Sequence, residues 1–356
     1  MKHIKSITIE NFKCFDYLFV DNFSKYNVIL GENNIGKSSF LEVLLFEENS
    51  AQTIHNFQSI VHFRKVFPDT ITVSKTNPFL FFVNKFSDLN TIKIKKETFN
   101  NTFFNAEYES VRVDGLSSFD KLNFNVFFNT NTIEKEILKI KKDDKIEYRR
   151  YWNAQNFEQY DTFLPFVYST AYYDNDLIRF YSNNFTDNRE DKKELISQLS
   201  FLIPELVDIE VTLINNKNAV VGFWVSNNYK ESLIPLAFFG DGTVRFFRLI
   251  MEIVMCSNQY LCIDEIDTGI HYSKFKDFSK VVISTANKNN VQLFITTHNN
   301  EFLKAFKEVL EEEDFKKYQN ETKCFSLKKL PKGDIKAYSY NFDEFEFAIE
   351  QENELR

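Results

Sequence analysis

The sequence predicts an α/β protein built around a phosphate-binding strand–loop–helix, with a β-rich region inserted behind it. Two observations carry that expectation. The first is Tyr26–Leu45, YNVILGENNIGKSSFLEVLL, in which an apolar run (Val28, Ile29, Leu30) meets Gly31 and passes through Glu32, Asn33, Asn34 and Ile35 to Gly36, Lys37, Ser38 and Ser39. An apolar-periodic segment follows (Phe40, Leu41, Val43, Leu44), so G-x-x-x-x-G-K-S stands where a strand gives way to a helix. The second is a pair of later apolar strands with polar C-terminal ends, Tyr260–Ile263 leading to Asp264 and Glu265, and Val291–Ile295 leading to Thr296, Thr297 and His298. Parallel α/β sheets place their ligands at such ends.

The glycines let the loop wrap a polyphosphate with its backbone N–H groups pointing inward. Gly31, Asn33, Asn34, Gly36, Lys37, Ser38 and Ser39 are therefore the candidate nucleotide-binding residues. Lys37 is expected to reach the β- and γ-phosphates, and the Ser38 hydroxyl to serve Mg²⁺. A plain glycine-punctuated strand-to-helix turn is the competing reading.

The 356 residues are enough for one large domain with an insertion or for two domains. Hydrophobic residues make up 43% and charged residues 26%, which permits a sizeable core and argues against global disorder. Phe (41) and Tyr (16) are spread along the whole chain and read as core filling. The net charge of −8 argues against a globally basic nucleic-acid binder but leaves room for a local basic groove. Four cysteines with no C-x-x-C spacing speak against disulfides and zinc, and so for a reducing cytosol. The N-terminal MKHIKSITIENF alternates like a strand and lacks a signal-peptide core, and no apolar run approaches the ~20 residues of a membrane span. A cytoplasmic protein without a membrane partner is expected.

In chain order, residues 4–9 and 17–20 read as strands joined by residues 10–15, and the phosphate loop and a helix to about Glu47 follow. From about 50 to 160, short apolar or alternating runs read as antiparallel strands: Ile60–Phe63, Thr70–Val73, Phe79–Val83, Thr91–Ile94, Ala106–Val113, Phe124–Phe128 and Lys145–Tyr151. A helix near Ile133–Ile140 is the alternative there. Between 174 and 206 the period lengthens. Asp174 or Asn175 is expected to cap a helix over Leu177–Phe180, and Asp187–Asn188 one over Lys192–Leu206. A hairpin over Ile209–Ile214 and Ala219–Val225 follows. The domain reading is thus 1–48 and 161–356 as one head and 49–160 as a β-rich insertion.

Asp264 is the expected Mg²⁺ holder, through the ion's water shell, and Glu265 the group that polarises an attacking water. His298 is placed to hydrogen-bond the γ-phosphate or that water; His3, His55, His62 and His271 have no comparable context. Gly240, Asp241, Gly242 and Thr243 form a Gly-rich turn that opens a helix and presents N–H groups to an anion. With no G-K-S it is not a second phosphate loop, and an ordinary helix start capped by Asp241 or Thr243 is the alternative.

Taken in this order, the segments resemble an ABC-type ATPase head of the RecF/SMC/OLD (overcoming-lysogenization-defect) kind. ITIENFKCF resembles the N-terminal strand and turn of those heads, and GENNIGKSS the Walker A of OLD-type proteins. LCIDEIDTGIH looks like a Walker B continued into a D-loop at Asp267, FITTHN like the H-loop and FFGDGTVR like the signature. Two departures stand out: Phe238 and Phe239 stand where the signature serine is sought, and no Q-loop glutamine can be placed among Gln52, Gln58, Gln155 and Gln159.

The resemblance implies a mixed central sheet and Mg-ATP as ligand. It further implies a head-to-tail homodimer or higher oligomer in which Gly240–Thr243 cap the partner copy's ATP. Lys13 would lie near the phosphates, an exposed lysine on a strand turn being the alternative. No coiled-coil arms are present, and the stretch after His298 is about enough to finish the head without a Toprim nuclease. The expected role is a slow ATPase serving as sensor or regulatory subunit of a bacterial antiphage system, with a separately encoded effector protein. A RecF-like DNA-repair ATPase, with DNA as partner, and an ATP-gated scaffold with little turnover are the rivals.

Overall fold

The protein is described by a computed structural model covering residues 3–47, 52, 53, 56, 59, 60, 91–99, 103–113, 119–128, 131–140, 146–149, 164–169, 175–214, 218–227, 230–331 and 333–351. The expected strands Thr70–Val73 and Phe79–Val83, and the cap at Asp174, lie outside these residues. The strands in order are β1 (Ile4–Phe12), β2 (Phe15–Val20), β3 (Tyr26–Gly31), β4 (Thr91–Thr98), β5 (Phe103–Val113), β6 (Phe119–Phe128), β7 (Asn131–Ile140) and β8 (Ile146–Arg149). They continue with β9 (Phe166–Val167), β10 (Leu206–Ile214), β11 (Asn218–Asn227), β12 (Lys230–Pro235), β13 (Tyr260–Ile263), β14 (Gln292–Thr296), β15 (Thr322–Lys329) and β16 (Ile335–Tyr340). The helices are α1 (Lys37–Val43), α2 (Asn175–Phe185), α3 (Arg189–Leu199), α4 (Asp241–Met255), α5 (Phe275–Lys288), α6 (Asn300–Glu311) and α7 (Phe342–Glu350). No helix among the described residues is long and apolar enough to cross a membrane.

The chain divides into two units, Met1–Phe166 with Thr322–Arg356, and Val167–Glu321. In the first, β1 to β8 without β3 form one antiparallel sheet in the order β2-β1-β4-β5-β6-β7-β8. The strands that follow residue 90 therefore extend the N-terminal sheet, with Ile94 of β4 opposite Ile9 of β1. Ile133–Ile140 lies in β7 and pairs with β6, so the helical alternative fails there. Ile60, expected in a strand, is helical and buried.

The same unit holds β3, buried along its whole length and paired in parallel with β15, which is antiparallel to β16 on its other side. β3 is apolar from Val28 to Leu30 for that reason, and its buried Asn27 side chain is satisfied by the Ser24 backbone. Asn341 and Glu344 cap α7 reciprocally.

On β4 the buried face runs Ile92, Ile94, Lys96, Thr98. Lys96 is 3% exposed, and its ammonium donates to the carbonyls of Phe46 (2.6 Å) and Leu44 (3.2 Å), just past α1. A cation at the end of a helix satisfies carbonyls that have no intrahelical partner. Lys96→Met is expected to remove both hydrogen bonds and the ion pair with Glu47 (3.7 Å), and to cost about 2 kcal/mol or more in denaturant unfolding. An unchanged unfolding midpoint would show that the lysine is dispensable.

In the second unit β13 and β14 pair in parallel, Ile263 opposite Ile295, and every residue of both is buried. Phe302 of α6 meets Phe275 and Phe278 of α5 at ring separations of 5.5 and 6.2 Å. The Asn188 side chain caps α3, as expected, but the helix stops at Leu199. Pro204 disfavours helix at the residue before it, so the chain turns and enters β10 at Leu206. The expected hairpin is β10–β11, and β12 adds a third strand to it.

Candidate functional site

In the first unit the chain leaves β3 at Gly31 and turns through Glu32, Asn33 and Asn34, all exposed, before Ile35 tucks back into the core. Asn34 (φ 63°) and Gly36 (φ 107°) are left-handed, a conformation that glycine and asparagine tolerate best. The two glycines are demanded by close approach. A Cβ at Gly31 would stand 2.7 Å from the Leu327 carbonyl oxygen, and one at Gly36 2.4 Å from Cys14 Sγ. Both glycines thus hold the loop tight against the body of the unit, and a Gly-Lys-Ser-Ser turn that opens a helix from a left-handed glycine is of the kind that fits a bound polyphosphate. Lys37 folds back over the loop, donating to the carbonyls of Gly31 (2.8 Å) and Glu32 (2.9 Å). Ser38 and Ser39 follow in the first turn of α1, half-buried.

Lys13 sits at φ 51° in the β1–β2 turn, whose Cys14 lies against Gly36. Its ammonium pairs with the carboxylate of Glu42 on α1, with side-chain exposures of 15% and 0%. The alternative of an exposed turn lysine therefore fails. Burial pushes the Cys14 thiol up, which keeps it a poor nucleophile.

In the second unit Asp264 and Glu265 follow β13. The Thr296 hydroxyl donates to Asp264 Oδ1 (2.7 Å) and accepts from the Glu265 N–H (2.8 Å). The next hydroxyl, Thr297, donates to Asp267 Oδ1 (2.6 Å). Two consecutive threonines at the end of β14 thus aim the acids after β13, a role that the sequence reading does not give them. Glu265 is left-handed at φ 49°, which costs a β-carbon-bearing residue about 1 kcal/mol or more and recurs at functional sites. Its Oε1 lies 3.8 Å from His298 Nδ1, both side chains half-exposed. Asp264, Glu265 and His298 are therefore neighbours, as expected from their strand ends. The Asp264 carboxylate and the Ser38 hydroxyl are hard oxygen donors of the kind that suit Mg²⁺.

The Gly-rich turn opens α4 with Gly240, not Asp241 or Thr243, at the N-cap, where no side chain caps the helix. Phe239 packs on Phe223 at 5.2 Å and Phe238 is 80% exposed, and Gly240, the N-cap after them, offers no hydroxyl. Gly242 meets Gly269 of the loop after β13 backbone to backbone, since a Cβ on Gly242 would fall 1.9 Å from the Gly269 carbonyl oxygen. Three residues on, Arg245 is buried. Its guanidinium donates to the carbonyls of Asp264 (2.6 Å), Thr268 (2.7 Å), Tyr168 (3.3 Å) and Ile266 (3.4 Å). Burial holds it down to about 10, against the opposing pull of Asp267, Asp264 and Glu265.

A wrapped loop ending in Gly-Lys-Ser and an acidic strand end, on α/β units with a mixed sheet, define a P-loop ATPase of the AAA type. The chain belongs to the family described as "AAA domain, putative AbiEii toxin, Type IV TA system", whose model matches residues 26–304. A Helicobacter pylori (strain ATCC 700392 / 26695) protein named "ATP/GTP phosphatase" is 24% identical over 392 residues, covering 99% of each chain. Among solved structures, the SMC head domain from Thermotoga maritima is 13% identical, with a TM-score of 0.48 over 95% of this chain and 99% of that one. The Smc head bound to the C-terminal domain of ScpA, derived from Pyrococcus furiosus, is 11% identical, with a TM-score of 0.46 over 99% and 100%.

Proposed function

We propose that the chain is a slow Mg-ATP hydrolase. The observation that carries this is Glu265, held left-handed beside His298 at the end of the strand that delivers Asp264, in a chain that also carries the wrapped Gly31–Ser39 loop. In this reading the backbone N–H groups of Asn33, Asn34, Gly36 and Ser39, with the Lys37 ammonium, bind the phosphates. Ser38 and Asp264 hold Mg²⁺, which when bound neutralises charge on the β- and γ-phosphate oxygens. Glu265 takes the proton of the attacking water, and His298 hydrogen-bonds the γ-phosphate and steadies the Glu265 carboxylate. Lys13 flanks the loop with its charge balanced by Glu42.

Gly240, Asp241, Gly242, Thr243 and Asp267 serve the nucleotide of a second copy, so a head-to-tail dimer or higher oligomer is the working form. The OLD-like phosphate loop supports placing the chain as the regulatory, cytoplasmic subunit of an antiphage system that holds a separately encoded effector. A second reading, an ATP-gated scaffold that hardly turns over, is favoured by Gly240, which offers no hydroxyl to the partner's nucleotide.

The deciding measurement is Mg²⁺-dependent phosphate release beside ATP affinity, for the wild type and Lys37→Ala. Turnover by the wild type and an affinity loss of about tenfold or more in the variant are expected. Background release from a wild type that binds ATP would favour the scaffold. Equal affinity of the two proteins would remove the loop from its role.

A further inference from the structure

We infer that Arg245 is a positioning residue for hydrolysis, the group that keeps Glu265 in its left-handed backbone conformation; this rests on the reading of Glu265 as general base. The carbonyls immediately before and after Glu265 belong to Asp264 and Ile266, and both accept from the Arg245 guanidinium, as does that of Thr268. A left-handed glutamate is strained, and such strain persists only where the surroundings over-determine it. Three further restraints act on the loop: from β14, Thr296 accepts the Glu265 N–H on Oγ1 (2.8 Å) and the Ile266 N–H on its carbonyl (3.0 Å), and within the loop the Thr268 N–H donates to the Glu265 carbonyl (3.0 Å). Thr296 holds the N–H side of the loop, and Arg245 is the group that holds its carbonyl side. It reaches in from α4, 5% exposed, and spends its donors on main-chain carbonyls.

Only arginine suits this task. Its rigid planar fork carries five donors and can serve several converging carbonyls at once, whereas a lysine ammonium has three donors on a flexible stem. The side chain touches no reacting atom in this scheme; it acts through where it holds Glu265.

The test uses the full chain with Arg245→Lys and Arg245→Gln, each alone and combined with Glu265→Gln. Without nucleotide, amide hydrogen exchange at Glu265, Ile266 and Thr268 is expected to rise about tenfold or more in both Arg245 variants, while β13 and the body of α4 keep wild-type protection. With nucleotide, kcat is expected to fall about 100-fold, the worth of a misplaced base, while KM and affinity for a non-hydrolysable ATP analogue stay within about threefold. In the Glu265→Gln background the Arg245 changes should cost nothing more, because both act through one group.

Wild-type kcat in both folded Arg245 variants overturns the inference, and so does an equal fractional loss with and without Glu265→Gln. Loss of nucleotide affinity in both variants also overturns it, by making Arg245 a determinant of folding. Wild-type hydrolysis by Glu265→Gln alone sinks the parent reading instead, and the exchange comparison still decides whether Arg245 holds the loop.

Discussion

Glu265→Gln is expected to lower kcat for ATP hydrolysis by about 10²- to 10⁴-fold, the usual worth of a general base. Glutamine has the shape of glutamate, so the Thr268 hydroxyl 3.4 Å from Oε2 and the His298 ring 3.8 Å from Oε1 keep a polar neighbour. The backbone at φ 49° is equally strained for either residue, so the loop has no new reason to move. Asp264 and the threonine hydroxyls that aim the acids are untouched, and nucleotide affinity is therefore expected to hold. Only the capacity to take a proton is lost. Steady-state phosphate release and equilibrium binding of ATP, measured on the same preparation, separate the two effects. The variant should also accumulate with ATP in its associated form, visible as a Mg-ATP-dependent shift in sedimentation that the wild type shows only transiently. Equal turnover by both proteins would take Glu265 out of the chemistry.

The parts of the site that could be read from the sequence are those where local chemistry leaves little choice. Gly31 and Gly36 bracket a loop that must press its backbone against Leu327 and Cys14, so their spacing is diagnostic. Asp264 and Glu265 announce themselves by ending a fully apolar strand. Lys96 was half legible. Its parity with Ile92 and Ile94 puts it on the buried face of β4, but its charge argues against burial until the α1 carbonyls come into view. Arg245 stands in plain sight near the start of α4, yet its partners are main-chain carbonyls, three of them contributed by a later loop, and main-chain orientation leaves no trace in residue type. The same holds for Thr296 and Thr297. The end of α3 was misplaced because its apolar periodicity runs on through Leu202 and Ile203, and the proline that stops the helix was given less weight than the pattern. β12 was missed because KESLIP alternates poorly and ends in proline.

Gly242→Ala is expected to destabilise the chain by about 3 kcal/mol or more and to abolish hydrolysis, while Gly240→Ser, two residues away, is expected to do the reverse. The first methyl would stand 1.9 Å from the Gly269 carbonyl oxygen and 2.8 Å from its carbon. Both are main-chain atoms, so no side chain can swing aside. Gly269 is itself left-handed at φ 81°, with Gly242 Cα 2.9 Å from where its own Cβ would be, and it cannot yield cheaply. The start of α4 and the loop carrying Asp267 would have to part, taking the Arg245 carbonyl contacts with them. Gly240 is the opposite case. Its φ of −63° and ψ of 153° suit any residue, and a Cβ there meets nothing within 4 Å. A serine hydroxyl at this N-cap can accept from the first free N–H groups of α4, for a gain of a few tenths of a kcal/mol. If the turn faces the partner copy's ATP, the same hydroxyl adds one hydrogen bond to a charged phosphate, about 1.5 kcal/mol or roughly tenfold in kcat. Denaturant unfolding and phosphate release on the two variants give four numbers. A tolerated Gly242→Ala would deny the close approach of Gly242 and Gly269, whereas a stabilised Gly240→Ser with unchanged kcat would turn position 240 away from the nucleotide and leave the low turnover to some other cause.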